Sequence, residues 1–310
     1  MFEGIKNGWD LIKASIKVFN RHPVFLVPLI CVWLIYAPIV IYLKWYFPWG
    51  AFSFSGILLI IFLIIFFFAL LITFSCSMLL ELIQQIETGK QLSLAKAFGE
   101  STGTNLIKII PLAFIWSVIW FILTLAEAIL RRKEKSEKEE LSARNVAKTL
   151  GGYEKFSWWG LSFDLLNKGI RMAVFLIMPA FAWQDLGFIN SIKKGFAVLR
   201  AHLMEFATGF TLTYLASVIV FLPPGLLLYI TGKLDIALPD WIWVVTIIYI
   251  SFAWSYSLYL EQMFTAELYL WHLKWEKEYE KAEKTGKKLP TLRDVPKPSI
   301  LDEVSDLLEK

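Results

Sequence analysis

Long apolar runs separated by charged segments dominate the chain. Four regions, 24–80, 109–126, 172–184 and 206–260, hold 143 of the 310 residues but only four of the 58 charged ones. A charge in hydrocarbon costs roughly 2.5 kcal/mol or more, whereas the core of a soluble protein needs no charge-free runs of this length. The pattern predicts an all-α, polytopic transmembrane helical bundle and excludes a soluble globular protein.

The number of spans follows from the length of these runs, because a spanning helix needs about 20 apolar residues. The fourth run is too short alone and must include the polar stretch before it. The sixth is expected to continue as a helix beyond the membrane towards Trp275. We predict six spans, in the regions 24–47, 51–80, 109–126, 156–184, 206–230 and 241–260.

Short amphipathic segments recur along the chain. Residues 5–16 and 192–203 share four identities and five conservative matches in twelve positions, and 94–98 is a weaker copy. Apolar residues follow each other at steps of three and four, which is typical of a helix lying in the headgroup layer, although a helix-bundle seam would show the same spacing. We predict three tandem units, each an interfacial helix plus two spans, with elbows at Gly8, Trp9, Ala97, Phe98, Gly195 and Phe196.

The distribution of lysine and arginine predicts the orientation. The side that holds both termini carries 19 of these residues and the other side 12, which places the termini in the cytoplasm of a multi-pass cell-membrane protein. The region 127–171 departs from this rule; if it is cytoplasmic, the third or fourth element must be re-entrant. The predicted segments are an interfacial helix (1–23), spans one to three with the second elbow near 91–104 (24–130), a charged extramembrane insert (131–155), spans four to six with the third elbow at 188–204 (156–275), and a charged cytoplasmic tail (276–310).

Ionisable residues inside or beside the spans are the candidate site. Asp164 and Lys168 are spaced i,i+4 for pairing on one helix face. Such residues often line a pathway in the bundle interior, but basic side chains near a helix end also extend to the headgroups. A helix break at Pro223, Pro224 and Gly225 has two corresponding interpretations, a discontinuous transport helix or a simple kink. The candidate cluster comprises Glu127, Arg131, Asp164, Asn167, Lys168 and Arg171.

Other chemistry is not indicated. The three histidines are far apart, and the sequence contains no phosphate-binding glycine loop and no serine elbow. Cys31 and Cys76 lie in apolar runs, as expected of small buried residues. The charged insert mixes both signs, unlike a nucleic-acid patch. We predict no metal site, no cofactor and no nucleic-acid partner, and the oligomeric state stays open.

The C-terminal tail ends in a short amphipathic segment. Ser299 and Asp302 have capping-box spacing, and apolar residues form a stripe over 299–309. This predicts a helix that docks either into the groove of a partner protein or onto the basic surface helices of this chain.

Two short motifs carry a resemblance. Gly8-Trp9-x-Leu11-x-Lys13-Ala14-Ser15 is followed by Pro28, and Ala182-x-x-Asp185-x-Gly187 precedes a basic amphipathic stretch. This arrangement resembles a family of uncharacterised prokaryotic polytopic integral membrane proteins, and is distantly similar in layout to the membrane domain of glycerophosphodiester phosphodiesterases. The resemblance covers most of 1–230, and it implies neither an agreed activity nor catalytic residues.

Three functions are compatible with these features. Three interfacial elbows favour a non-enzymatic scaffold that organises the lipid bilayer and recruits a partner through its tail. The polar cluster favours a transporter or channel for a small anion or lipid. A lipid-modifying enzyme is the third hypothesis, for which the sequence offers acids but no recognisable nucleophile, base or metal set.

Overall fold

The computed structural model describes residues 2–134, 158–234, 238–292, 294–297 and 308. Most of the predicted charged insert and most of the predicted 299–309 helix therefore lie outside the described residues. A 3₁₀ turn precedes each of α2 and α3, and a π-helical turn joins α4 to α5. The helices are α1 (Phe2–Arg21), α2 (Val27–Trp45), α3 (Phe54–Glu87), α4 (Leu94–Glu100), α5 (Leu106–Glu134), α6 (Trp158–Ala182), α7 (Phe188–Ala201), α8 (Leu203–Leu234) and α9 (Asp240–Lys284).

Within the described ranges, six helices are long and apolar enough to cross a bilayer: α2, α3, α5, α6, α8 and α9. The prediction of an all-α bundle with six spans is thus confirmed. The last of them, α9, contains 45 residues in one uninterrupted helix and continues well past Trp275. The helices of this bundle are those expected of an integral membrane protein.

The helix α1 contacts the bundle through small residues as well as through the buried apolar residues Leu11, Ile12 and Val18. Gly4, Gly8 and Ser15 are buried, and α1 packs on α8 and α9. A Cβ atom on Gly8 would lie 2.8 Å from the Thr208 side chain, so only glycine permits this approach. Trp9 stays 46% exposed. The predicted apolar stripe is therefore divided between a flank that contacts protein and a flank that does not.

The other two short helices repeat this arrangement. Ala97 and Gly195 are buried where α4 packs on α3 and α7 packs on α6. The aromatic residues that follow them, Phe98 and Phe196, are 53% and 49% exposed. All three short helices thus present one half-exposed aromatic ring beside a buried small residue.

The three short helices lie at the same end of the bundle, which we call the surface-helix end. Trp183, just after α6, donates through Nε1 to the Leu80 carbonyl of α3 at 3.0 Å. Tyr269 of α9 donates to Gln184 Oε1 at 2.5 Å. Ser15 of α1 donates to Glu267 Oε1 of α9 at 3.3 Å. These bonds join α1 to the parts of α3, α6 and α9 from which α4 and α7 follow, so α1, α4 and α7 share one side.

The helix α8 runs without interruption through Pro223, Pro224 and Gly225, so the structure shows no helix break there. Proline at 224 cannot donate to the carbonyl of Val220, four residues earlier. Tyr249 of α9 supplies the missing donor, because its hydroxyl lies 2.9 Å from that carbonyl oxygen. A side chain of a neighbouring helix thus satisfies the backbone group that the proline leaves free.

The centre of the bundle is formed by α3, α6 and α9, which pack on one another. The packing of α6 on α5 and α9 is extensive, whereas that of α6 on α8 is sparse among the described residues. Near the surface-helix end, Thr213 of α8 still reaches the Met172 sulfur at 3.8 Å. The largest fully buried side chains include Tyr259, Phe264, Tyr269 and Trp271 of α9 and Phe175 and Phe181 of α6.

Candidate ligand-binding cavity

An ion-pair triad lies inside the bundle. Lys168 Nζ donates to Glu261 Oε1 at 2.7 Å. Arg171 donates through Nε to Glu261 Oε2 at 2.7 Å and through Nη2 to Oε1 at 2.9 Å. The Glu261 side chain is 1% exposed and that of Lys168 is 6% exposed. One carboxylate therefore accepts three charge-assisted hydrogen bonds away from solvent, two of them from the planar guanidinium fork.

The triad depends on the packing of α6 on α9. Lys168 and Arg171 are three residues apart, so they project from the same face of α6. Glu261 lies on α9, 90 residues from Arg171 in sequence. Glu261 is not part of the predicted polar cluster, because the predicted sixth span ends at Leu260. The sequence does contain one signal for it, since Glu261 is a single acid directly after an uncharged run.

A cavity of about 380 Å³ opens beside the triad, within the size range of small-molecule sites. Four helices form its walls, α5, α6, α8 and α9. Their lining residues are Trp116, Trp120, Thr124 and Glu127 of α5; Asp164, Asn167, Lys168 and Arg171 of α6; Tyr214, Ser217 and Phe221 of α8; and Trp254, Ser257, Leu258 and Glu261 of α9.

The cavity has a buried floor and a partly exposed rim. Glu261 and Lys168 at the floor are buried, whereas Asp164, one turn further from the surface-helix end, is exposed. On α5, which packs on α6, Trp116 lies at the level of the floor and Glu127 lies at the level of the rim. These two residues are eleven positions apart in a continuous helix, so the cavity extends over roughly 16 Å along the bundle.

Aromatic rings form much of the wall between floor and rim. Trp116 and Trp120 stack with centroids 5.9 Å apart and ring planes 19° apart. Trp120 and Trp254 both pack on Phe68, at 5.9 and 5.6 Å between centroids. On the α8 side, the Lys168 ammonium lies 5.9 Å from the centroid of the Tyr214 ring. The tryptophan rings thus form an apolar wall on one side of the ionic floor. On the other side, the Tyr214 ring contacts the Lys168 ammonium.

Most of the predicted polar cluster meets in this cavity. Glu127, Asp164, Asn167, Lys168 and Arg171 all line it. Arg131 lies in α5, with its side chain outside the described residues. Pro223, Pro224 and Gly225 follow Phe221, the outermost lining residue of α8. The predicted elbow residues lie at the surface-helix end, so neither group lines the cavity.

A second polar region lies at the surface-helix end. His202, between α7 and α8, is buried with its ring 4.9 Å from that of Trp271 and 5.4 Å from that of His272. Burial, together with the nearby His272, lowers the pKa of His202 to about 3. Glu276 accepts hydrogen bonds from His272 and Lys194. His202 is therefore neutral at physiological pH within an otherwise charged neighbourhood.

The described part of the C-terminal tail folds back over this end. Trp271 donates through Nε1 to the Val295 carbonyl at 3.0 Å. Gln84 of α3 donates to the Leu308 carbonyl at 2.9 Å. Lys297 pairs with Asp10 of α1 at 2.7 Å and lowers the pKa of that carboxyl. These contacts hold the described part of the tail on the chain's own surface; of the predicted 299–309 helix, only Leu308 is among the described residues.

Comparison with protein-family models, with curated proteins and with solved structures finds no match.

Proposed function

We propose that this protein is a membrane transporter that binds a small polar ligand in the cavity beside Lys168, Arg171 and Glu261. The observation that carries the proposal is an ionised triad at the floor of a cavity of about 380 Å³ inside a bundle of spanning helices. Ionisable residues within spans are costly, and where they face a cavity they commonly mark a substrate pathway.

The energetics of the triad support a functional role. Each buried ion costs several kcal/mol to desolvate, and replacing a buried ion pair by apolar residues of similar volume is often neutral or stabilising. A triad of this kind is therefore expected to add little stability to a bundle that serves only as a scaffold. The charges at the floor are expected to serve ligand recognition.

The position of the cavity also supports transport. It lies where α6 and α8 pack sparsely, between the second and third of the three proposed units. Substrate sites of secondary transporters commonly lie at the interface between repeats, near the bilayer midplane. A small movement of α8 relative to α6 would therefore change the access to the floor without disturbing the packing of α6 on α9.

Transport requires that the cavity be reached by water from both sides of the membrane, which can be tested without knowing the ligand. Ser257 lines the cavity, whereas Ser255, two residues earlier on α9, is fully buried and does not line it. Single-cysteine variants S257C and S255C are compared in a background in which Cys31 and Cys76 are serine. A membrane-impermeant thiol reagent is added to right-side-out and to inverted vesicles.

We expect S257C to react from both sides and S255C from neither. Reaction of S257C from one side alone would contradict transport and leave a binding pocket. Absence of reaction from both sides would contradict a water-accessible cavity, provided that the purified and denatured variant still reacts.

A second candidate function is organisation of the bilayer by the surface-helix end, which we place in the cytoplasm on the lysine and arginine distribution. The half-exposed rings of Trp9, Phe98 and Phe196 favour it, because aromatic residues settle at membrane interfaces. If the protein organises the bilayer, reconstituted wild type should reduce the vesicle diameter, and the variant with serine at all three positions should not. Equal vesicle diameters for wild type and variant would contradict this function.

A further inference from the structure

The chemical class of the ligand follows from the charges and rings of the cavity. We infer that it binds a ligand bearing an ammonium group, which sits against the tryptophan wall between the ionic floor and the acidic rim. This inference rests on the proposed function and specifies the ligand of the same cavity.

The hydrogen bonds of the triad disfavour a free anion. The lining residues include two bases, Lys168 and Arg171. Both bases already donate to Glu261 through three short hydrogen bonds. An anion at the floor would have to displace this buried carboxylate, whereas a cation against the tryptophan wall would leave the three bonds intact.

The wall is suited to a cation. Three tryptophans, Trp116, Trp120 and Trp254, line the cavity together with Tyr214 and Phe221. Tryptophan attracts a cation to its ring face more strongly than tyrosine or phenylalanine, and aromatic cages of this kind bind quaternary ammonium groups. The protein's own Lys168 ammonium already lies over Tyr214, which shows that one of these rings accepts a cation at this depth.

The rim of the cavity carries two acids. Glu127, with 7% exposure, and the exposed Asp164 lie on facing helices at the same level. An ammonium group held below them would contact rings at its sides and carboxylates above. Both a free solute such as choline and the headgroup of a choline lipid have this chemistry, so the test must separate the two.

Binding to detergent-purified protein is measured by isothermal titration with choline chloride, with sodium phosphate, and with 3,3-dimethylbutanol, the neutral isostere of choline. We expect choline to bind at least tenfold more tightly than the isostere, and phosphate not to compete. The variant W120L should weaken choline binding about tenfold and W120F by less, whereas W241L, at an exposed tryptophan outside the cavity, should leave it unchanged.

The lipid source is tested by native mass spectrometry after reconstitution in equal amounts of phosphatidylcholine and phosphatidylglycerol. Retention of phosphatidylcholine in wild type and its loss in W120L identifies a lipid headgroup; choline binding without lipid retention identifies a solute. Either result supports the inference.

Equal binding of choline and its isostere, competition by phosphate, or binding of neither choline nor phosphatidylcholine would overturn it. If S257C remains labelled from both sides, these outcomes overturn the ligand class alone. Failure of that labelling overturns the proposed transport function.

Discussion

Replacement of Glu261 by glutamine should destabilise the protein strongly, because it leaves Lys168 and Arg171 together without their acid. Removing one partner of a buried ion pair costs about 3–5 kcal/mol. In a chain of this length, 1 kcal/mol corresponds to roughly 1.5 °C in Tm, so E261Q should unfold about 5–8 °C below wild type. The size of the loss follows from the three hydrogen bonds that converge on a carboxylate with 1% exposure.

Other substitutions of the triad should follow a definite order. K168M leaves the bidentate pair between Arg171 and Glu261 intact and should cost about 1.5–3 kcal/mol, the value of a hydrogen bond to a charged group. The triple variant K168M/R171M/E261M removes all three charges and should recover most of the stability lost in E261Q, because apolar replacement of a complete buried ion cluster is often neutral.

The assay is thermal unfolding in detergent, followed by the loss of the monodisperse peak in fluorescence-detected size exclusion. Glu278, an exposed acid on the same helix, provides the control E278Q, which should stay within about 1 °C of wild type. A Tm of E261Q equal to that of E278Q would refute the coupling of the three residues. So would a triple variant less stable than E261Q.

Three further predictions concern the surface-helix end. The pKa of His202 is lowered to about 3, so below pH 6.5 the unfolded chain binds a proton that the folded chain does not. The free energy of unfolding should therefore fall by about 2 kcal/mol as the pH is lowered from 7.5 to 5. The variant H202F should lose this pH dependence in the same unfolding assay. An unchanged pH dependence in H202F would contradict the role of His202. G195A places a Cβ atom 2.6 Å from Ile177 Cγ1 and 3.1 Å from its Cα; it should lower the Tm by a loss of about 1–3 kcal/mol, whereas G99A, with open space around it, should not. K297E breaks the partly exposed pair between Lys297 and Asp10. Limited proteolysis should cleave the tail of K297E up to about fivefold faster than the tail of the control K288E. Equal cleavage rates would show that this pair does not hold the tail.

Local spacing accounts for what could be predicted of the site. Asp164, Lys168 and Arg171 repeat at helical intervals, and Glu127 ends an apolar run, so one-dimensional periodicity groups them correctly. Glu261 could not be found in this way. It is paired across 90 residues of sequence, and a single acid after an apolar run is equally typical of a span that has ended.

The surface helices show a different limit of the sequence. Their existence and bounds follow from apolar spacing, but spacing does not distinguish a side chain that contacts protein from one that contacts lipid. In α1 the buried positions include Gly4 and Gly8, which carry no hydrophobic signal, while Trp9 remains half-exposed. At Pro224, likewise, the sequence shows the missing donor but not the Tyr249 hydroxyl that replaces it.

The helix α9 connects two distant regions of the molecule as one rigid lever. Glu261, in the triad, and Trp271, which holds the Val295 carbonyl of the tail, are ten residues apart in the same uninterrupted helix, or about 15 Å along its axis. A tilt of about 10° around Glu261 displaces Trp271 by roughly 3 Å, as long as the helix stays straight. That distance equals the length of the hydrogen bond between Trp271 and the tail. A tilt of this size would therefore separate Trp271 from the Val295 carbonyl, and a tail held in place opposes the tilt.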